Sequence, residues 1–157
     1  MSGGPPAIHG VGQAGSLGGM NVPTRGAWLR ARISRDGGPL REDQHVVWLQ
    51  AGEYYADSRG FAGRTSYDGE QVRFHHDVGE AGDDTGTLRP DGQDLTETGT
   101  NPDGSTFREV WRPLPDSDGP CGAWTVDAAQ VVRVGAHLVH VDDGGGTHLL
   151  LPSPSPL

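Results

Sequence analysis

Between Val46 and Glu109 the chain alternates. Val46, Trp48 and Gln50 fall on one side of an extended segment, Val72, Phe74 and His76 repeat the arrangement, and Phe107, Glu109 and Trp111 repeat it again. Gly, Asp and Asn residues separate these runs. Successive residues of a strand point to opposite faces, so a side-chain period of two, broken by turn residues, specifies antiparallel sheet. Neither long helical periods nor helix-capping signals interrupt it. The chain therefore reads as all-β, a single closed or nearly closed antiparallel barrel of about eight to ten short strands.

The spacing predicts strands over 26–34, 45–50, 54–59, 61–67, 70–77, 85–89, 93–98, 106–112, 130–134, 136–141 and 147–151. Asp68-Gly69 is read as a hairpin turn, 79–84 as a polar loop, and Pro90-Asp91-Gly92 and Asn101-Pro102-Asp103-Gly104 as turns. Residues 113–122 form an excursion, and 124–129 fit either a strand end or one helical turn. The first strand carries an ambiguity that matters. Leu29, Ala31 and Ile33 share one face, while Trp28, Arg30 and Arg32 share the other, and either set can look inward. Only the second choice begins a polar cavity. The Gly- and Pro-rich residues 1–24 read as a flexible tail in which Val11, Leu17 and Met20 could lie over a barrel end. The barrel domain then runs over 25–151, and 152–157 is a Pro/Ser tail.

Composition removes several chemistries. The basic residues, 12 against 21 acidic ones, are all arginine, so no lysine can form a Schiff base. The net charge of -9 argues against a nucleic-acid or anionic-membrane surface, yet leaves room for an arginine-lined pocket. Cys121 is the single cysteine, which rules out an intramolecular disulfide. The sequence shows no span-length apolar run and no signal-peptide pattern, so a cytoplasmic location is expected. No phosphate loop, dinucleotide fingerprint or Gly-x-Ser-x-Gly elbow occurs. The late histidines His137, His140 and His148 lack compact metal-ligand spacing, and neither a metal nor a cofactor is expected.

The residues left to carry chemistry sit on the alternating faces. Of His75 and His76 only one can face inward, and His76 shares its side with Phe74 and Val72. Tyr55, Asp57 and Arg59 fall two apart, so Arg59 could bind a carboxylate or enolate through its planar fork while Asp57 orients it. Glu109, between Phe107 and Trp111, requires a partner if buried, and Arg30, Arg59 or Arg64 could supply one. Glu97, on the side of Leu95, is a further acid or base. Trp28, Trp48 and Trp111 could stack on a cyclic ligand. His76, Glu109, Arg59 and Asp57 are thus the candidate catalytic groups. Trp28, Arg30, Trp48, Tyr55, Phe74, Glu97 and Trp111 are the candidate ligand contacts. Each also has an ordinary structural role open to it as an ion pair or packed ring.

The words Trp48-Leu49-Gln50, Tyr55-Ala56-Asp57-Ser58-Arg59, Phe61-Ala62-Gly63, Phe74-His75-His76-Asp77 and Glu109-Val110-Trp111-Arg112 resemble the small calycin or lipocalin-like barrels. More narrowly, they are similar to the yeast HRI-interacting-protein family and its bacterial relatives. Gly26-Ala27-Trp28 matches the Gly-x-Trp spacing of lipocalins, without their secretion segment or disulfide. The resemblance spans about residues 26–115 and implies an antiparallel barrel with an internal cavity.

Three functions follow as expectations. The first is binding of a small organic molecule, partly apolar, bearing a carbonyl or anionic group. The second is a cofactor-independent cyclase, isomerase or dehydratase (lyase) acting on such a molecule. The third is a protein-interaction barrel, which calls for a filled interior and an exposed patch at Tyr54 or Trp28. A homodimer is left open, and neither nucleic acid nor membrane is expected as a partner.

Overall fold

A computed structural model describes residues 24–152. These residues contain no helix; twelve strands account for the fold. Strands β1 (Arg25–Arg35), β2 (Val47–Ala51), β3 (Tyr54–Asp57), β4 (Phe61–Asp68), β5 (Gln71–Val78), β6 (Asp83–Asp91), β7 (Asp94–Thr100) and β8 (Thr106–Pro113) run antiparallel in chain order. Pairing of β1 with β8 closes them into an eight-stranded barrel, a closure compatible with a calycin-like fold. The remaining strands, β9 (Cys121–Val126), β10 (Ala129–Val134), β11 (His137–Asp142) and β12 (Gly145–Leu150), build a separate sheet in the order β12-β11-β10-β9. Apart from the longer segments 36–46 and 114–120, the connections are short turns, which is what a chain with 26 glycines and 12 prolines can supply.

The second sheet lies on the outside of the barrel against β2 and β3. Val132 and Val134 of β10, Val139 and Val141 of β11, and Ala123 of β9 form one buried cluster with Ala27, Val47, Leu49, Ala51, Ala56 and Ala62 of the barrel wall. Alanines on the barrel side keep that wall low, so the valines can approach it closely. Strand β2 is consequently buried on both faces: Val47 and Leu49 pack outward, Trp48 and Gln50 inward. This explains why it reads as an unbroken apolar run, where strands with one wet face alternate. Gln130 of β10 is buried and donates to the backbone carbonyls of Tyr55 and Gly63, both at 2.9 Å, fastening the added sheet to β3 and β4.

Several boundaries differ from the sequence reading. The hairpin turn read at Asp68-Gly69 falls one residue later, at Gly69-Glu70, because Asp68 pairs with Gln71. The loop expected over 79–84 ends early, with Asp83 and Asp84 already in β6 and paired to His75 and Phe74. Pro90 lies in β6 opposite Leu95, where the turn was placed. The open choice at 124–129 resolves as the end of β9, a turn in which Asp127 takes a φ of 54°, and the start of β10. The strands expected at 130–134, 136–141 and 147–151 exist, but outside the barrel. The calls on the residue 1–23 tail, including Val11, Leu17 and Met20, and on 153–157 lie outside the described residues.

The face ambiguity of β1 also resolves. Trp28 and Arg30 point into the barrel, and Leu29 packs outward on the second sheet's cluster. A bulge between Arg30 and Arg32 then shifts the alternation and brings Ile33 into the interior as well. Gly26 precedes Trp28 on the same face. A Cβ at Gly26 would lie 2.2 Å from the Trp28 ring, so the Gly-x-Trp spacing has a steric cause: the indole lies back over the missing side chain.

A histidine seam joins the two sheets. His137 is buried on β11 and binds the Pro115 carbonyl through Nε2 at 2.6 Å and His148 through Nδ1 at 3.0 Å. Since a carbonyl only accepts, His137 donates from Nε2, and its Nδ1 shares one hydrogen bond with His148 Nε2. His45, on the approach to β2, stacks over His148. Burial, then the charges of His137 and His45, hold the His148 imidazole below its ordinary value. A base depressed in the fold stabilises it at pH above its unfolded value and loses that contribution as pH falls from about 6.5 toward the folded value. His148→Gln is therefore expected to flatten the drop in melting temperature between about pH 7 and pH 5, read by thermal unfolding at several pH values. An unchanged slope would show that the seam does not titrate with folding.

Candidate functional site

The barrel is a cup, filled at one end and hollow at the other. Trp28, Tyr67, Val72, Leu88 and Leu95 pack the filled end. Gln50 is wholly buried there, receiving bonds from Trp48 Nε1 and Thr65 Oγ1 at 3.1 Å each and donating to the Gly52 carbonyl at 2.8 Å. The hollow end encloses about 370 Å³, within the range of small-molecule sites. Exposed residues Arg35, Asp83, Asp84, Asn101 and Pro102 border its mouth.

Aromatic rings form the inner surface. Trp48 is the hub, stacked on Trp28 at 4.5 Å and meeting Phe74 and Trp111 edge-on at 5.5 and 5.6 Å. Tyr55 meets Phe74 at 4.9 Å. Edge-to-face rings lock one another's orientation, which gives the cavity a fixed shape. Trp28 supports Trp48 from the filled end and is absent from the cavity wall itself.

Charged side chains line the same space. Arg30 Nη1 lies 2.7 Å from Glu109 Oε2, both side chains being more than nine-tenths buried. Arg59 Nη1 approaches the same oxygen at 3.8 Å, and its own fork closes on Asp57, with Nη2–Oδ2 at 2.6 Å and Nε–Oδ1 at 3.0 Å. Four charges thus alternate in sign from Arg30 through Glu109 and Arg59 to Asp57. Burial opposes the Arg59 charge, but Asp57 and then Glu109 and Glu97 outweigh it and hold the guanidinium above its ordinary value. Arg59 does not extend β3 as its spacing suggested. The strand ends at Asp57, and Arg59 sits in the following turn, held by its backbone N–H donating to Asp57 Oδ1 at 2.8 Å. Arg64 is not the partner of Glu109; it points outward and pairs with Asp77.

Glu97 stands directly across from Glu109 on the neighbouring strand. It is buried, and its Oε1 accepts from Trp111 Nε1 at 3.2 Å. Burial, then the facing Glu109 charge, push its carboxyl well above the ordinary value. Room for it comes from Gly86 on β6, where a Cβ would lie 2.6 Å from Glu97 Oε2.

His76 faces inward, as its side of the strand implied. Its Nδ1 meets the Glu80 carbonyl at 2.8 Å, its Nε2 meets Asp84 at 2.9 Å, and Phe61 stacks on its ring at 4.8 Å. Both of its ring nitrogens are engaged by oxygen acceptors, which leaves proton abstraction to the glutamates. His75 is on the outside, between Ser66 and Asp83. Sequence reasoning missed Phe61, Asp84 and Gly86. Phe61 opens the strand read at 61–67 but was given no role there, Asp84 lies in the segment read as a polar loop, and a glycine's role shows only once its neighbour is placed.

Three buried side-chain polar atoms among the described residues lack a partner, namely Arg30 Nε, Tyr55 Oη and Thr96 Oγ1. The first two belong to residues of the cavity wall. Burial, ahead of the nearby Asp57 charge, holds the Tyr55 phenol above its ordinary value, so it stays a donor. A wider hollow of about 620 Å³ on the outside, lined mainly by threonine and glycine, offers no such atom. No group of three or more His, Cys, Asp or Glu residues converges as a metal site among the described residues. No helix there is long and apolar enough to cross a membrane. Comparison with protein-family models, curated proteins and solved structures finds no match.

Two stability predictions follow from these charges. Arg30→Met strands the Glu109 carboxylate, and the loss is expected to be about 3 kcal/mol, the low end for a broken buried pair because Arg59 remains nearby. Adding Glu109→Gln should recover most of it in denaturant unfolding. Glu97 behaves with the opposite sign to a salt-bridged acid. Its raised folded value stabilises the protein below the unfolded value near 4.5 and loses that contribution as pH rises. Glu97→Gln keeps an acceptor for Trp111, so it should raise the melting temperature at neutral pH and leave it unchanged in strong acid.

Proposed function

We propose that this protein binds a small, partly apolar organic molecule bearing a carbonyl group inside the barrel. The observation that carries the reading is the Tyr55 phenol, a buried donor on the cavity wall with no partner of its own. Leaving such a group unpaired costs roughly 1–3 kcal/mol, a cost that a bound acceptor removes. Trp48, Phe74 and Trp111 supply flat apolar contact, and Arg59, about a third exposed, supplies a second donor near the mouth.

The charge balance favours a carbonyl over an anion. Arg30 and Arg59 already face Glu109 and Asp57, so an entering carboxylate finds no unmatched positive charge. The remaining donors are the neutral Tyr55 hydroxyl and Glu97, whose carboxyl burial raises well above its ordinary value and so toward its neutral form, and they suit a neutral oxygen acceptor. The protein-interaction reading has less support, since Trp28 is buried and Tyr54 packs against the cluster under the second sheet. The likeness to the HRI-interacting-protein family adds a barrel with a cavity to this reading and no chemistry.

Native mass spectrometry of gently purified protein, then titration with a panel of cyclic and aromatic ketones read by tryptophan fluorescence, tests the proposal. Tyr55→Phe is expected to weaken ketone binding about three- to tenfold, the worth of one neutral hydrogen bond, while leaving the free protein as stable or more so. A panel without any ligand-dependent change in fluorescence would end the reading.

A further inference from the structure

The geometry points to a second activity in the same cavity: Glu109 and Glu97 form a base and acid pair that interconverts the keto and enol forms of an enolisable carbonyl guest. This rests on the binding reading above and goes beyond it, since a carrier needs no proton transfer.

Three placements support it. The two glutamates are cross-strand partners on β8 and β7, both buried and both on the cavity wall. Their surroundings differ in kind. Glu109 lies against the guanidinium groups of Arg30 and Arg59 at 2.7 and 3.8 Å, whereas Glu97 meets only the Trp111 indole N–H at 3.2 Å and the backbone space left by Gly86. Burial and the facing charge of Glu109 raise the Glu97 carboxyl well above its ordinary value, so Glu97 is the member that favours holding the proton, and Glu109, in its ion pair with Arg30, is left as the acceptor. Finally, Tyr55 and Arg59 offer donors from other strands and turns of the same wall, placed to hold an oxygen on which negative charge develops.

The step balances without any oxidant or cofactor. Glu109 takes the proton from the carbon beside the carbonyl. The electrons of that C–H bond form the new C=C bond, and the C=O π electrons move to oxygen, which takes the proton of Glu97. The enol leaves with Glu109 protonated and Glu97 ionised, and a proton passing from Glu109 to its neighbour Glu97 restores the pair. The aromatic wall of Trp48, Phe74 and Trp111 suits a guest whose enol is conjugated with a ring.

The test uses 2-tetralone as the probe, incubated with the full chain in deuterated buffer near neutral pH. Binding is followed by tryptophan fluorescence, and exchange at the carbon beside the carbonyl by loss of its proton NMR signal. The wild-type protein is expected to accelerate exchange at least about tenfold over buffer. Glu97→Gln, which retains the acceptor for Trp111, should return exchange to about the buffer rate, with binding read separately by fluorescence. Glu109→Gln should do the same, and circular dichroism checks that each variant folds. Binding without accelerated exchange overturns the proposal and leaves the carrier reading standing. Acceleration that survives both substitutions overturns the assignment of the pair. Failure of 2-tetralone to perturb the fluorescence overturns this proposal, and the ketone-binding reading falls with it only when the whole ketone panel fails too.

Discussion

The line of alternating charge from Arg30 through Glu109 and Arg59 to Asp57 is the constraint on which the interior depends. A carboxylate or guanidinium taken out of water is tolerated only against a partner of opposite sign. Each member of this line also faces the hollow end of the barrel. Filling that end with apolar side chains would strand the charges, so their mutual pairing and the open space accompany one another. The cavity is thus a condition of this set of residues, with the rings of Trp48, Phe74 and Trp111 giving it walls.

A hollow barrel gives up packing in its own centre, and here the loss is met from outside. The valines of β10 and β11 press on the alanine-rich wall at β2 and β3, and Gln130 binds the backbone beneath Tyr55. The strand carrying Trp48 is thereby held from both directions. Rigid placement of the central ring follows from burial that lies on the far side of the wall from the cavity.

Much of this was legible in the sequence, and the reasons are local. The alternation at 46–50, 72–76 and 107–111 specifies which side chains share a face, and each of those sets does look inward. Turn chemistry located the hairpins to within a residue or two. The burial of Glu97 and Glu109 was foreshadowed by their apolar neighbours on the strand. What could not be read was anything set by strand-to-strand distance. Arg30, and not Arg64, reaches Glu109 because β1 closes on β8, a pairing between chain segments some 79 residues apart. The division of twelve strands into a barrel and an added sheet is equally invisible to periodicity, since strands of either sheet alternate alike. The two-sided burial of β2 did leave a trace, its unbroken apolar run, whose meaning emerges only when the second sheet is in place.

The empty position at Gly86 carries a consequence for how such a site is recognised. The Glu97 carboxyl occupies the volume that a methyl group would take, so the depth of an acidic oxygen is governed by an atom that does not exist. A chain could keep every arginine, glutamate and ring described above and, with alanine there, hold the inventory without the arrangement. Kinship in chemistry among barrels of this kind should therefore be sought in where their walls are bare as much as in what decorates them.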